Sequence, residues 1–208
     1  MLKAEPLLPS TNSIQMILSP LKRFLNQTSS KAGIISLLLL SQLVFLLMMT
    51  YTFPAINAQI GTPAFDLRPL GYSIFEAQAI IQKLDQKTIH LYLFPQLFLL
   101  DILYPALLAL FLSSLLLRLY GLLGRKQASF FLLPFMAMLF DYLENMMITL
   151  LITNSVALSE GIVQVASTFT ILKGAFTTFS WLLIVVLFTS WVREPKKYRR
   201  KTKTHSLN

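Results

Sequence analysis

The chain has 208 residues, 55% of them hydrophobic and 13% charged, with a formal net charge of +9, two histidines and no cysteine. Apolar runs of roughly 18 residues or more exclude a soluble globular protein and read as membrane spans. The lack of thiols excludes disulfides, thiol redox chemistry and thiolate metal sites, and His90 and His205 alone do not make a histidine-based metal or haem site, so no metal and no cofactor is expected.

The basic balance does not point to nucleic acid. Most Lys and Arg residues flank the apolar runs, where such residues meet anionic lipid headgroups and set topology, and no nucleic-acid motif accompanies them. Membrane lipids are the expected partners.

Residues 1–31 form a leader carrying Lys3, Lys22, Arg23 and Lys31. Within it, Ile14 to Leu25 reads either as a short amphipathic surface helix interrupted by Pro20 or as a disordered tail. A cleaved signal peptide is not expected, because the next apolar run is too long for one. The first span is expected at about 32–51, with Gln42 its only strongly polar interior side chain. A long connection, 52–90, follows, punctuated by Pro63, Pro69 and Gly71. Its Ser73-Ile74-Phe75-Glu76 reads as a capping box, in which the serine side chain and the glutamate reach each other's backbone amides. Phe75, Ala79, Ile80 and Leu84 then recur at helical spacing, which predicts a short amphipathic helix across the outer face of the bundle.

The second span is expected at about 91–117, the third at about 128–152 and the fourth at about 162–188, followed by a basic tail at 191–208. The predicted fold class is all-α: a polytopic membrane protein, a four-helix transmembrane bundle with a short amphipathic helix in its first outer loop. Basic residues concentrate in the leader, in the second connection (Arg118, Arg125, Lys126) and in the tail, while the third connection carries only Glu160. Both termini are therefore expected in the cytoplasm. On that topology the sequon Asn26-Gln27-Thr28 stays unmodified.

The third span carries the most informative stretch, Pro134 to Thr149, with Asp141, Glu144 and Asn145 inside an apolar run. Positions i, i+3 and i+4 share one helical face, and Pro134, Met138 and Ile148 continue that stripe. A charged residue at the bilayer centre costs roughly 2.5–3.5 kcal/mol on insertion scales, so these side chains must face protein or water. At about 1.5 Å per helical residue, Asp101, the Asp141–Glu144 pair and Lys173 all lie roughly 12–16 Å below one membrane surface. Three spans thus bring ionisable groups to one level.

Tyr104 shares the Asp101 face, and Thr170, Gly174 and Thr177 share that of Lys173. Asp66, Arg68, Tyr72 and His90 are candidates for a mouth, although Asp66 and Arg68 are equally able to pair with one another or with Glu76. Two readings compete. In one, Lys173 pairs with a carboxylate and the cluster only fixes helix register, the best-attested structural role of buried ion pairs. In the other, three carboxylates sharing one cation cannot all be charged without cost, which makes the group a candidate for proton transfer.

Phe65-Asp66-Leu67-Arg68-Pro69-Leu70-Gly71-Tyr72-Ser73, Leu100-Asp101-Ile102-Leu103-Tyr104-Pro105, Phe140-Asp141-Tyr142-Leu143-Glu144-Asn145 and Ser167 through Lys173 together resemble an ordered pattern in uncharacterised bacterial four-span membrane proteins. That resemblance covers 65–180 and implies a small polytopic membrane protein of unknown activity; the expected location is the bacterial inner (plasma) membrane. In architecture alone the chain is similar to emopamil-binding, sterol-isomerase-type four-helix modules, which hold acidic residues in a lipid-accessible pocket; none of that family's ligand residues is carried over.

The leading expectation is an intramembrane pocket that binds a lipophilic or amphipathic small molecule and performs acid–base chemistry on it. Glu144 and Asp141 would be the proton donor and acceptor, Asp101 their second-helix partner, Lys173 the counter-charge, and Asn145 and Tyr104 the orienting groups. The alternatives are a proton- or ion-coupled transporter subunit and a non-catalytic scaffold subunit, in a homo-oligomer or larger membrane complex. Nucleophile elbows, phosphate loops and zinc motifs are absent from the sequence.

Overall fold

The computed structural model describes residues 11–125 and 129–194. Lys3, Lys126, residue 128 and the basic residues from Lys196 onward, with His205, lie outside them. Every regular element among the described residues is helical. Four helices are long and apolar enough to cross a membrane: α2 (Lys31–Ile60), α4 (Gln86–Leu122), α5 (Ser129–Ile152) and α6 (Glu160–Arg193). They contain 30, 37, 24 and 34 residues, against the roughly 20 that span a hydrocarbon core. A leader helix, α1 (Thr11–Thr28), precedes them, and α3 (Ile74–Lys83) lies in the connection between α2 and α4. The protein is an all-α membrane bundle.

Local chemistry explains where the helices begin and end. Ser30 and Ser159 cap α2 and α6 through their side chains, and Gly61, at φ 69°, closes α2 in the left-handed region that glycine adopts freely. The helix that carries the first expected span continues past Tyr51. A wide π-helical turn over Met48–Thr52 places Pro54 in the first turn of the segment that follows, where a missing N–H costs least, and the helix runs on to Ile60. The helix of the second expected span begins at Gln86, where Asp85 caps it by accepting from the Thr88 amide at 2.7 Å. It kinks where Phe94 (φ −141°, ψ 122°) leaves helical geometry before Pro95. The inter-helix connection is therefore residues 61–85, shorter than the 52–90 expected.

Both arms of the predicted capping box are present on α3: the Glu76 amide donates to Ser73 Oγ, and the Ser73 amide donates to Glu76 Oε2 at 2.8 Å. The buried stripe of this helix differs from the one expected. Ala77 and Ile80 face inward, with Ile81 and Leu84 packed against the same core, whereas Phe75 and Ala79 are exposed. Ile80 and Leu84 of the expected stripe share a face with Ala77 and Ile81, whereas Phe75, nine residues before Leu84, lies about half-way round the helix from it. Ser73→Ala should cost about 0.5–2 kcal/mol of local stability. Hydrogen exchange over residues 74–83 should accelerate in that variant; unchanged protection there would deny the cap its role.

Of the two readings of the leader, the helix is the one found. α1 continues through Pro20 and is tied down at its end. Leu25 is fully buried against Leu117 and Phe131, Thr28 Oγ1 lies 2.6 Å from Ser114 Oγ, and Arg118 donates to the Ser29 carbonyl at 2.7 Å. α5 packs along α6, with α4 against both and α2 against α4. Leu39, Leu43 and Leu46 of α2, and Phe179, Leu182 and Val186 of α6, point outward. An outward apolar face of this extent is what contact with lipid requires.

Candidate functional site

The face of α5 that carries Asp141, Glu144 and Asn145 is turned into the bundle, and Ile148 continues it as core. Lys173 of α6 reaches across to both carboxylates: its Nζ stands 3.1 Å from Asp141 Oδ1 and also pairs with Glu144 Oε2. Thr170, one turn before Lys173, donates its hydroxyl to Glu144 Oε1 at 2.7 Å. Glu144 is fully buried, so its charge is held by a hydroxyl and an ammonium rather than by solvent.

Asp101 comes to the same level by a different route. Pro105, four residues on, has no N–H, so it cannot donate the helical hydrogen bond that the Asp101 carbonyl would otherwise accept. Asn145 Nδ2 donates to that carbonyl at 3.2 Å, and Tyr142 Oη donates to the neighbouring Ile102 carbonyl at 2.9 Å. The proline in α4 thus fastens α4 to α5. The Asp101 side chain is buried but makes no ion pair with Lys173. Tyr104, expected to orient a ligand, packs its ring on Phe45 at 5.5 Å and makes no hydrogen bond to the cluster among the described residues.

The connection 61–85 settles onto this level. Gly71 sits at φ 82°, and a Cβ there would overlap Ser167 Oγ of α6 and touch Ile171. A Cβ at Gly174 would lie 3.7 Å from the Pro69 carbonyl. Gly71 therefore lets the loop backbone approach α6, whereas the contact at Gly174 leaves room for a side-chain carbon. The Tyr72 amide then donates to Ser167 Oγ at 2.9 Å, and its ring packs on Phe65 with centroids 4.8 Å apart. Burial, then the negative charges of Glu144 and Asp66, raise the pKa of the Tyr72 phenol well above its ordinary value, so it stays neutral.

Of the mouth candidates, Asp66 is anchored to α4 and Arg68 stays within its own loop. Asp66 Oδ2 accepts from the Tyr92 hydroxyl at 2.5 Å, and Tyr92 in turn accepts from the Phe65 amide at 3.1 Å. Arg68 is held within its own loop by Glu76 at 2.7 Å, by Thr62 Oγ1 at 2.7 Å and by the Pro63 carbonyl at 3.1 Å. The Ser73 amide and hydroxyl, followed by Arg68, hold the Glu76 carboxyl below the usual range. His90 is exposed and lies away from the cluster, on a groove between α2 and α4.

Sequence pattern alone does not reveal Tyr92, which anchors Asp66, or the buried pair in which Thr52 Oγ1 donates to Gln96 Oε1. A glutamine beside Pro95 inside an apolar run was a signal of the same kind as Gln42.

Asp66 Oδ1, Asp101 Oδ2 and Asn145 Oδ1 are buried without a hydrogen-bond partner, as is Gln96 Nε2. Leaving such a group unpaired typically costs about 1–3 kcal/mol, so a concentration of them at one level calls for a functional explanation. Beside them, a cavity of about 330 Å³ is lined by Leu97, Ile102, Tyr142, Asn145, Met146 and Thr149, among others. Ile102 and Met146 are exposed on the flank of the bundle, so the cavity opens sideways between α4 and α5. A second cavity, of about 20 Å³, touches Asp141 and Thr177 between Pro105 and Pro134. No group of three His, Cys, Asp or Glu side chains among the described residues is arranged to hold a metal ion. The chain matches no protein-family model, no curated protein and no solved structure.

Proposed function

We propose that this integral membrane protein binds a lipophilic or amphipathic small molecule, which enters from the lipid side between α4 and α5. The supporting observation is that Asn145 belongs to two places at once. Its amide nitrogen is spent on the Asp101 carbonyl inside the polar cluster, while its residue forms part of the apolar cavity wall and its Oδ1 has no partner. A cavity of about 330 Å³ falls in the usual range for small-molecule sites, which are mostly apolar with a few placed polar groups.

Asp141 and Glu144 stand behind Asn145 rather than on that wall, so the geometry supports binding ahead of turnover. In this reading Lys173 is their counter-charge. Asp66 and Tyr72 close the cluster from the loop side, Asp101 backs Asn145, and Arg68 braces the loop. The small cavity beside Asp141 favours a second reading, a proton relay: about 20 Å³ is room for a single water.

A bulky side chain at the mouth separates binding from these alternatives. In the parent, a small lipophilic molecule should co-purify and appear in native mass spectra. Met146→Trp, at an exposed position, should fill the opening and remove that molecule while unfolding at the parental temperature. Equal retention in both proteins would place the ligand elsewhere.

We also propose that both termini are cytoplasmic, in the bacterial inner membrane. Lys22, Arg23, Arg118, Arg125 and Arg193 support this by gathering at the end opposite the 61–85 connection. In intact cells an impermeant thiol reagent should label Gln59→Cys and not Lys203→Cys. The reverse pattern would invert the topology.

A further inference from the structure

The groove that holds His90 is independent of the Asn145 cavity and has its own chemistry. It measures about 810 Å³ and runs between the ends of α2 and α4 that flank the 61–85 connection. Each wall is a helical stripe. On α2, Tyr51, Ala55 and Gln59 follow at i, i+4 and i+8; on α4, Lys87, His90 or Leu91, and Phe94 follow at i, i+3 or i+4, and i+7. The Phe94 kink gives the Lys87–Leu91 segment its own direction relative to the rest of α4.

The two stripes run antiparallel, yet their polarity changes in the same direction. Tyr51, Phe94 and Pro95 lie at the deep end, while Gln59 and Lys87 lie at the shallow end with Asp85, roughly 10–12 Å away along the helices, and His90 sits between, nearer the shallow end. Tyr51 and Phe94 expose most of their rings, as aromatic residues do at a membrane–water boundary. The shallow end carries both signs of charge. Asp85 Oδ1 is committed to the Thr88 amide, which fixes the carboxylate in place, and no ion pair engages Lys87 or His90 among the described residues.

We propose that this groove is a binding site for a phospholipid whose headgroup joins a primary ammonium to a phosphate. The ammonium sits against Asp85 and the Gln59 carbonyl, the phosphate against Lys87 and His90, and the acyl chains pass down over Leu91, Phe94 and Tyr51. A purely anionic headgroup would leave Asp85 facing a phosphate without a cation between them. A quaternary ammonium has no N–H to donate.

The test is native mass spectrometry of the full chain in detergent with equimolar dioleoyl-phosphatidylethanolamine, dioleoyl-phosphatidylglycerol and dioleoyl-phosphatidylcholine. The parent should retain the ethanolamine lipid over each of the others by about three-fold, the scale of an exposed ion pair. Asp85→Asn keeps a helix-capping side chain and removes only the charge, so it should bring the ethanolamine and glycerol lipids to near parity. Lys87→Gln should lower retention of all three. Equal or better retention of the glycerol or choline lipid by the parent overturns the proposal, as does an unchanged preference in Asp85→Asn.

Discussion

Lys173→Met should be the most destabilising single substitution in the bundle. It leaves Asp141 and Glu144 facing each other with no cation, in a place where Glu144 has no access to solvent. Removing one partner of a buried ion pair typically costs about 3–5 kcal/mol, less whatever proton uptake recovers. Glu144→Gln is the contrasting change. It preserves shape, lets the amide oxygen face Lys173 and the amide nitrogen face Thr170, and leaves Asp141 and Lys173 as a balanced pair. Thermal unfolding in detergent should therefore place Glu144→Gln near the parent and Lys173→Met far below it. If the two variants unfold alike, and no small molecule accompanies the parent, the cluster is a register device and nothing more.

Gly71→Ala should have the second-largest effect, and its cause is separate. A side chain at φ 82° meets the left-handed penalty of about 1–2 kcal/mol. Its Cβ also overlaps Ser167 Oγ, so the loop must lift and the Tyr72 amide loses its acceptor, at about 0.5–1.5 kcal/mol. Hydrogen exchange over residues 69–73 should rise sharply while α5 and α6 stay protected. Adding Ser167→Ala should recover the steric part and leave the loss of the Tyr72 hydrogen bond. No change in exchange at Tyr72 would mean that the loop does not depend on this contact.

Much of this architecture can be read from residues. Long apolar runs give the helices, because in lipid every backbone polar group must be satisfied within the segment. The Ser73–Glu76 pair gives the loop helix, because both arms of the box are local. Asp141, Glu144 and Asn145 can be placed on one face from their spacing, and Lys173 at their level from its depth. What resists such reading is long-range or cooperative. Pro54 looks like a stop until a π-helical turn absorbs it, and Pro95 looks like a helix interior until Phe94 kinks. Arg68 turns to Thr62, Pro63 and Glu76, while Asp66 turns to Tyr92, and nothing in the loop's own sequence ranks those partners. The tie between Asn145 and the Asp101 carbonyl depends on a proline four residues from Asp101 and on a helix 44 residues away. Tyr104 shares the Asp101 face by count but packs on Phe45, because α2 offers it an aromatic surface.

The most direct test of the central claim is a density map of the full chain in a lipid nanodisc, at a resolution that separates side chains. An elongated non-protein feature should enter between Ile102 and Met146, with one end within hydrogen-bond distance of Asn145 Oδ1. A side cavity holding only disordered lipid, with Asn145 Oδ1 turned to a protein donor, would contradict it, and so would a continuous file of water from Asp66 past Asp141 to the opposite face.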